Sequence, residues 1–197
     1  CDLLAVGYGL VPNVELATML GCALDHTRTH PCVQVDTLLR TSVADVYAAG
    51  ESCGIAGLAA ARIEGSMAGH AATGSSASAA TLLPSRHRAR RFADLLALHF
   101  ALDARTRTQA GADTIICRCE DVTLAALDGF TDIRAAKLAT RCGMGACQGR
   151  ICGTALDELG RFPHSGIRPP LFPARLSTLA TTHVPTLPND DSRATYA

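Results

Sequence analysis

Five of the nine cysteines lie between positions 117 and 152, and thiolates are ligands for soft metal ions. Cys117 and Cys119 form a C-x-C pair; in an extended segment, residues i and i+2 point the same way, so both thiols can serve one site. Cys142 and Cys147 form a C-x₄-C pair, and Cys152 forms a second such pair with Cys147. A disulfide scaffold would spread its cysteines, so this clustering favours metal ligation in a reducing compartment and predicts a cytoplasmic protein.

Four thiolates suit either Zn²⁺ or an iron–sulfur cluster. The C-x-C spacing is tighter than the C-x₂₋₄-C pairs of structural zinc sites, so the spacing favours iron and sulfur, while zinc, ordinary thiols and a redox disulfide stay open. Gly143 and Gly145 allow the backbone to turn N–H groups toward an anion, and a helix beginning near Gln148 or Gly149 would add its own N–H groups. Three arginines beside the cysteines would offset a negative charge: Arg118, Arg141 and Arg150.

Two segments carry a family resemblance. Residues 116–123 (ICRCEDVT) and 140–152 (TRCGMGACQGRIC) closely resemble the BFD-like [2Fe–2S] domain at the C-terminus of the FAD-binding A subunits of opine oxidases, proline and hydroxyproline dehydrogenases, and hydrogen cyanide synthase. The resemblance implies a small helical domain over residues 112–160. It also implies that Cys117, Cys119, Cys142 and Cys147 hold the cluster. The spacing leaves open an assignment in which Cys152 replaces Cys142.

The first part of the chain resembles the same FAD-binding subunits. The apolar run at 3–6 and the segment 43–49 predict two buried strands, and residues 59–72 predict a helix with small and apolar side chains on one face. Asn13 is a predicted N-cap for a helix that ends before Gly21. The order of strand, glycine turn and helix predicts an α/β layer.

Residues 40–51 (RTSVADVYAAGE) are similar to the second FAD motif of the pyridine nucleotide–disulfide oxidoreductases. The resemblance implies that the flavin approaches Gly50 closely and that Glu51 accepts hydrogen bonds from its hydroxyl groups. An ordinary strand–turn–helix without a ligand is the alternative. Because no G-x-G-x-x-G follows a strand, only part of an FAD site is predicted.

These features predict a fold class and a domain order. The fold is an α/β remnant of a pyridine nucleotide–disulfide oxidoreductase-type FAD domain, followed by a small helical BFD-like [2Fe–2S] domain. The FAD/NAD(P)-binding remnant spans 1–74, a helical linker 75–111, the cluster domain 112–160 and a Pro-rich tail 161–197. We therefore expect a C-terminal piece of a longer protein.

Composition and charge exclude several classes of function. The chain has 18 Lys and Arg against 18 Asp and Glu, which argues against charge-driven nucleic-acid binding. No apolar run approaches the roughly 18 residues of a membrane span, so no transmembrane segment is predicted. The basic segment 86–91 is interpreted as a solvated helix face rather than a patch for an acidic partner.

His26 and His30, near Cys22 and Cys32, are interpreted as a polar loop rather than a second metal site, and Cys53 as a buried thiol rather than a flavin contact.

The predicted function is the electron-transfer part of a heteromeric FAD/iron–sulfur dehydrogenase (oxidase) acting on an amine, opine or imino acid. The resemblance implies that a partner, an FAD-containing subunit of the hetero-oligomer, oxidises the substrate. No catalytic residue is predicted in this chain. The alternatives are a Cys₄ zinc module with a structural or interaction role, and an inactive truncated fragment.

Overall fold

The computed structural model describes residues 1–163 and 171–181, and helices make up most of their regular structure. The chain divides into two units, Cys1–Ile167 and Arg168–Ala197. The first unit contains, in chain order, α1 (Glu15–Met19), β1 (Leu24–Asp25), β2 (Cys32–Val33), α2 (Gly57–Ala72), α3 (Ser76–Thr81), α4 (Leu83–His99), α5 (Ala104–Arg107), β3 (Ile115–Cys117), β4 (Val122–Thr123), α6 (Ile133–Thr140) and α7 (Cys152–Glu158). Short 3₁₀ helices span Gly50–Cys53 and Ala125–Leu127. In the second unit, α8 spans Leu176–Thr181, and most of the predicted Pro-rich tail lies outside the described residues.

The two sheets are small and antiparallel. β1 pairs with β2, and β3 pairs with β4, so the described residues form a mixed, mainly helical fold. The predicted strand at 43–49 is reduced to one isolated bridge between Arg40 and Tyr47. Among the described residues, no helix is both long enough and apolar enough to span a bilayer.

The predicted strand at residues 3–6 is not formed. Leu3 and Leu4 are 92% and 82% exposed, and the first 13 residues carry no regular structure. A strand needs a neighbour for its backbone hydrogen bonds, and the described part of the chain provides none here. The helix predicted next is present as α1, but its N-cap is Val14 and not the predicted Asn13; the Asn13 Oδ1 atom accepts a hydrogen bond from the Glu15 N–H at 3.1 Å one position earlier.

The predicted helix at 59–72 is confirmed as α2. Its inward face carries Ala60, Met67 and Ala71, which are almost fully buried, and it packs against α3 and α4. Small side chains on this face allow close helix packing. α2 thereby fixes the glycine turn that precedes it and the long helix α4 that follows.

A buried carboxylate joins α2 to α4. Glu64 is fully buried, and its Oε1 atom accepts hydrogen bonds from Arg86 Nε at 2.9 Å and Arg90 Nε at 2.8 Å. Arg90 also donates to the carbonyls of Cys53 and Gly54 at 3.1 and 3.0 Å. The interpretation of 86–91 as a solvated face is therefore wrong for these two arginines. A buried charge is stable only when it is paired, and Glu64 requires them.

The cysteine-rich region has its own core. β3 and β4 form a ribbon, and α6 begins after Asp132, whose side chain accepts a hydrogen bond from the Ala135 N–H at 2.9 Å. The ribbon and helices bury one shared apolar cluster: Ile116, Cys117, Val122, Leu127, Ala136, Cys142, Cys152, Leu156 and Phe162. Three cysteines are therefore part of the packing that holds this region together.

Candidate metal centre

Three buried thiols converge at the end of β3. The Sγ atoms of Cys117, Cys142 and Cys152 all lie within 4.8 Å of one another. Their residues are 2%, 0% and 3% exposed. Among the described residues, this is the only group of three or more His, Cys, Asp or Glu side chains close enough to hold one metal ion.

The other two cysteines of the cluster form a pair nearer the surface. The Sγ atoms of Cys119 and Cys147 are 4.0 Å apart, and Cys119 is exposed while Cys147 is half-buried. Each motif thus contributes one thiol to the inner group and one to this outer pair. The structure therefore brings the four cysteines that the resemblance implied together as two pairs, Cys117 with Cys142 and Cys119 with Cys147, and places Cys152 beside the inner pair.

Glycines bring the two motifs into contact. A Cβ atom built on Gly145 would lie 2.1 Å from the Cβ of Cys119, so a side chain has no room there. Gly143 has a φ of +80° and donates its N–H to Cys117 Sγ at 3.5 Å. The loop carrying Cys142 and Cys147 can lie against the C-x-C segment because Gly145 lacks a side chain, and Gly143 adopts the left-handed backbone of this turn.

Backbone N–H groups stabilise one inner thiolate. Burial raises the pKa of Cys117, but hydrogen bonds from the N–H groups of Gly143, Glu120 and Cys119 outweigh it and bring the pKa below its ordinary value. A thiolate is the form that binds a metal ion. The Cys117 thiolate is therefore stabilised by the turn that follows it and by Gly143 of the second motif.

The outer thiol of the C-x₄-C pair has similar support. Hydrogen bonds from the N–H of Ile151, and then of Gly149 and Arg150, lower the pKa of Cys147. The helix predicted to begin near Gln148 or Gly149 instead begins at Cys152. Both earlier residues have a left-handed backbone, with φ of 53° and 82°, which a right-handed helix cannot accommodate.

The remaining inner thiols favour the neutral form when no metal is bound. Burial, followed by the nearby Cys117, raises the pKa of Cys142. Burial, followed by Cys142, raises the pKa of Cys152 to about 12. Three thiolates cannot share this space without a cation, so a metal that binds here would have to release protons from these thiols.

Two of the three arginines beside the cysteines form ion pairs with carboxylates. Arg141 donates to Glu120 at 2.7 Å, and Arg150 donates to Glu15 at 2.7 Å and to the carbonyl of Cys147 at 3.3 Å. Arg118 is exposed. The charge offset expected from all three is therefore reduced, since two of them already neutralise a carboxylate.

The segment similar to an FAD motif forms a tight turn. Gly50 has a φ of +77° and is buried; its N–H donates to Glu64 Oε2 at 2.9 Å, and its carbonyl accepts from Arg90 at 3.4 Å. A Cβ there would lie 3.3 Å from the Cβ of Ala61. Glu51 is exposed. Both backbone groups of Gly50 are thus used internally, whereas the Glu51 carboxylate faces solvent.

The other candidates do not form a site. His26 is exposed, and His30 lies 3.5 Å from Glu158 rather than in a group with the nearby cysteines. Cys53 is buried, and burial raises its pKa to about 11, which fits the interpretation as a packed thiol. Sequence reasoning missed Glu64, whose only signal was a carboxylate on the buried face of α2.

Known proteins provide clear matches. The chain is 32% identical to the A subunit of opine oxidase from Agrobacterium tumefaciens (strain Ach5), over 90% of this chain and 40% of that protein. It is 35% identical to the A subunit of opine oxidase from Rhizobium meliloti (strain 1021), over 87% of this chain and 42% of that protein. It is 33% identical to the hydrogen cyanide synthase subunit HcnB of Pseudomonas protegens, over 88% of this chain and 42% of that protein.

The chain spans about two fifths of the length of the curated relatives it matches. No protein-family model matches it, and no solved structure matches it. The predicted resemblance to the A subunit of opine oxidase and to hydrogen cyanide synthase is confirmed, whereas the BFD-like domain and its cluster ligands stay predictions.

Proposed function

We propose that this chain, a relative of the opine oxidase A subunit and of HcnB, is the electron-transferring part of an FAD- and [2Fe–2S]-containing oxidoreductase acting on an amine, opine or imino acid. The observation that carries the proposal is the pairing of thiols from the two motifs: Cys117 with Cys142, and Cys119 with Cys147. Such a cluster, when bound, accepts and releases single electrons.

The pairwise arrangement supports a two-iron cluster. Each iron of a [2Fe–2S] cluster takes two protein thiolates, and the four proposed ligands form two close pairs, each with one member from either motif. The N–H donors at Cys117 and Cys147 place one stabilised thiolate in each pair. Hydrogen bonds to ligand sulfurs and partial burial are the means by which a protein sets the potential of its cluster.

The proposed flavin contact is partial. Gly50 would contribute close approach rather than hydrogen bonds, because Glu64 and Arg90 already use its N–H and carbonyl. Glu51 would accept hydrogen bonds from ribityl or ribose hydroxyls with its exposed carboxylate. The rest of the FAD site would come from outside these residues. The proposed partner is an FAD-containing subunit that oxidises the substrate.

Free thiols support a reducing compartment. Five of the nine cysteines cluster in the two motifs, and thiols that serve a metal must stay reduced to bind it. We therefore propose a cytoplasmic location, where the thiols stay available for a metal cluster.

The direct test is anaerobic purification of the full chain with analysis of iron, acid-labile sulfide and zinc. We expect about two irons and two sulfides per chain, visible absorption, and an EPR signal after dithionite reduction. The variants C119A and C147A should lose both the iron and the sulfide. The matched control is C1A, which removes an exposed thiol outside both motifs and should retain them.

A zinc module is the second candidate, and the three buried inner thiols favour it. A colourless sample that contains one zinc and no sulfide would contradict the redox proposal and support this one. A chain that binds neither metal and shows no cooperative melting would instead support an inactive fragment.

A further inference from the structure

One arginine of α4 binds the turn at residues 50–54, which begins in the segment similar to an FAD motif. Arg90 donates hydrogen bonds to the carbonyls of Cys53 at 3.1 Å and Gly54 at 3.0 Å, and to the carbonyl of Gly50 at 3.4 Å. Its side chain is only 12% exposed. Three carbonyls of one turn therefore converge on a single buried guanidinium that a distant helix supplies.

The carboxylate of Glu64 holds this guanidinium in place. Arg90 donates from Nε to Oε1 and from Nη2 to Oε2, both at 2.8 Å, and this two-point contact fixes the plane of the guanidinium. The Oε2 atom of Glu64 also accepts the Gly50 N–H at 2.9 Å. The two buried side chains thus hold both backbone groups of Gly50, where the turn begins.

Gly54 allows the guanidinium to lie against the backbone. A Cβ atom built at this position would lie 3.1 Å from Arg90 Nη1, and the φ of Gly54 is +107°. A side chain there would therefore crowd the arginine and strain the backbone. The end of the turn, like its beginning, is shaped to receive Arg90.

The direction of the carbonyls determines the direction of the neighbouring N–H groups. A trans peptide group holds its carbonyl and the next N–H on opposite sides. Because the carbonyls of Gly50 and Gly54 point to Arg90, the N–H groups of Glu51 and Ile55 point to the other side of the turn. Arg90 thereby determines which polar groups of the turn a ligand meets.

We propose that Arg90, oriented by Glu64, is a positioning residue for the flavin, because it fixes the 50–54 turn in the conformation that the flavin contacts. This inference rests on the proposed function, since it assumes that FAD lies against Gly50 and Glu51. In this role neither Arg90 nor Glu64 touches the flavin. A turn that is fixed before binding loses less conformational entropy when the ligand binds, so the pair raises the affinity for FAD.

Arg86 provides a matched control on the same helix. It donates to Glu64 Oε1 at 2.9 Å, and its side chain is 17% exposed, close to the value for Arg90. Within the described residues, the side chain of Arg86 donates to this carboxylate and not to the turn. Replacement of either arginine disturbs the buried ion pair, but only replacement of Arg90 releases the carbonyls.

The test measures FAD binding by five forms of the full chain: wild type, R90A, R90K, R86A and R86K. A partial site binds weakly, so FAD is titrated to about 1 mM and binding is followed by flavin fluorescence. Lysine keeps the positive charge beside Glu64 but cannot bridge the carboxylate and three carbonyls. We expect both Arg90 variants to bind FAD at least about tenfold more weakly than wild type, and both Arg86 variants to stay within about threefold.

Hydrogen exchange without FAD measures the turn itself. Amides over residues 50–56 should exchange at least about tenfold faster in the Arg90 variants than in the Arg86 variants. Urea unfolding of each variant measures global stability, and the lysine pair carries the comparison should the alanine variants fail to fold.

Two results would overturn the positioning role of Arg90. One is equal weakening of FAD binding in the Arg90 and Arg86 variants, since loss of the buried ion pair would then explain both. The other is wild-type FAD affinity in R90A and R90K. A wild-type chain that does not bind FAD at about 1 mM would instead refute the proposed flavin contact, and faster exchange in the Arg90 variants would then leave Arg90 a purely structural role.

Discussion

Replacement of Gly145 by alanine tests the contact between the two cysteine motifs. The added Cβ would lie 2.1 Å from the Cβ and 3.1 Å from the Sγ of Cys119, whereas ordinary van der Waals contact begins at 3.4 Å. One segment must therefore move by about 1.3 Å. The φ of Gly145 lies outside the left-handed region, so alanine adds a steric conflict without backbone strain.

The expected cost has two parts. Overpacking of a well-packed site costs about 1–3 kcal/mol of unfolding free energy. The same movement pushes Cys119 away from Cys147, whose sulfurs are 4.0 Å apart, and metal sites tolerate only about 0.2 Å in their ligand distances. We therefore expect G145A to be less stable and to lose most of its iron and sulfide.

The assay measures both effects separately. Urea unfolding of the cluster-free chain gives the change in stability, and iron and sulfide analysis of the anaerobically purified chain gives the change in binding. The matched control is G65A, an exposed position of α2 with no atom within 4 Å of the added Cβ. This control should gain up to about 1 kcal/mol from helix propensity. Wild-type stability and iron content in G145A would refute the steric reasoning.

Three further predictions concern charge and reactivity. Burial raises the pKa of Glu64, but hydrogen bonds from two arginines lower that pKa by more than burial raises it, so it lies below its ordinary value. The wild type should therefore lose unfolding free energy as the pH falls below about 4.3. The variant E64Q should be roughly 3 kcal/mol less stable at pH 7 and should lose less on acidification. Equal losses of unfolding free energy in the two proteins between pH 7 and pH 3, measured with urea, would contradict this. R150A should cost about 1 kcal/mol by removing the partly buried ion pair with Glu15, and E15A/R150A should be no worse than R150A in urea unfolding; additive losses would argue against the pair. In the cluster-free chain at neutral pH, iodoacetamide should label Cys147 at least about tenfold faster than the buried Cys53, as followed by mass spectrometry; similar rates would show that the N–H groups do not activate Cys147.

Features of the fold that depend on residues close together in the sequence could be predicted from sequence patterns. The helix that follows Asn13 and the helix α2 are determined by side chains within a few positions, and both are present in the structure. The convergence of the two cysteine motifs was also foreseeable, because C-x-C and C-x₄-C spacings already position pairs of thiols and glycines allow close approach.

Features that depend on distant partners could not be predicted. Arg86 and Arg90 were interpreted as solvated because the carboxylate that they bind lies 22 and 26 positions earlier. The apolar run at residues 3–6 has the composition of a strand, but a strand also needs a neighbour that composition cannot supply. The position of Cys152 beside Cys117 and Cys142 depends on where α7 begins. The left-handed backbone of Gln148 and Gly149 delays that beginning to Cys152.

The ion pair between Arg150 and Glu15 ties the two ends of a long stretch of chain together, 135 positions apart. Because Arg150 also donates to the carbonyl of Cys147, this arginine connects position 15 with the backbone beside the candidate metal centre. Evolutionary drift at these two positions should therefore be correlated: descendants that lose the acid at 15 are expected to replace the arginine at 150 as well. A short peptide that carries only the cysteine motifs would lack this anchor.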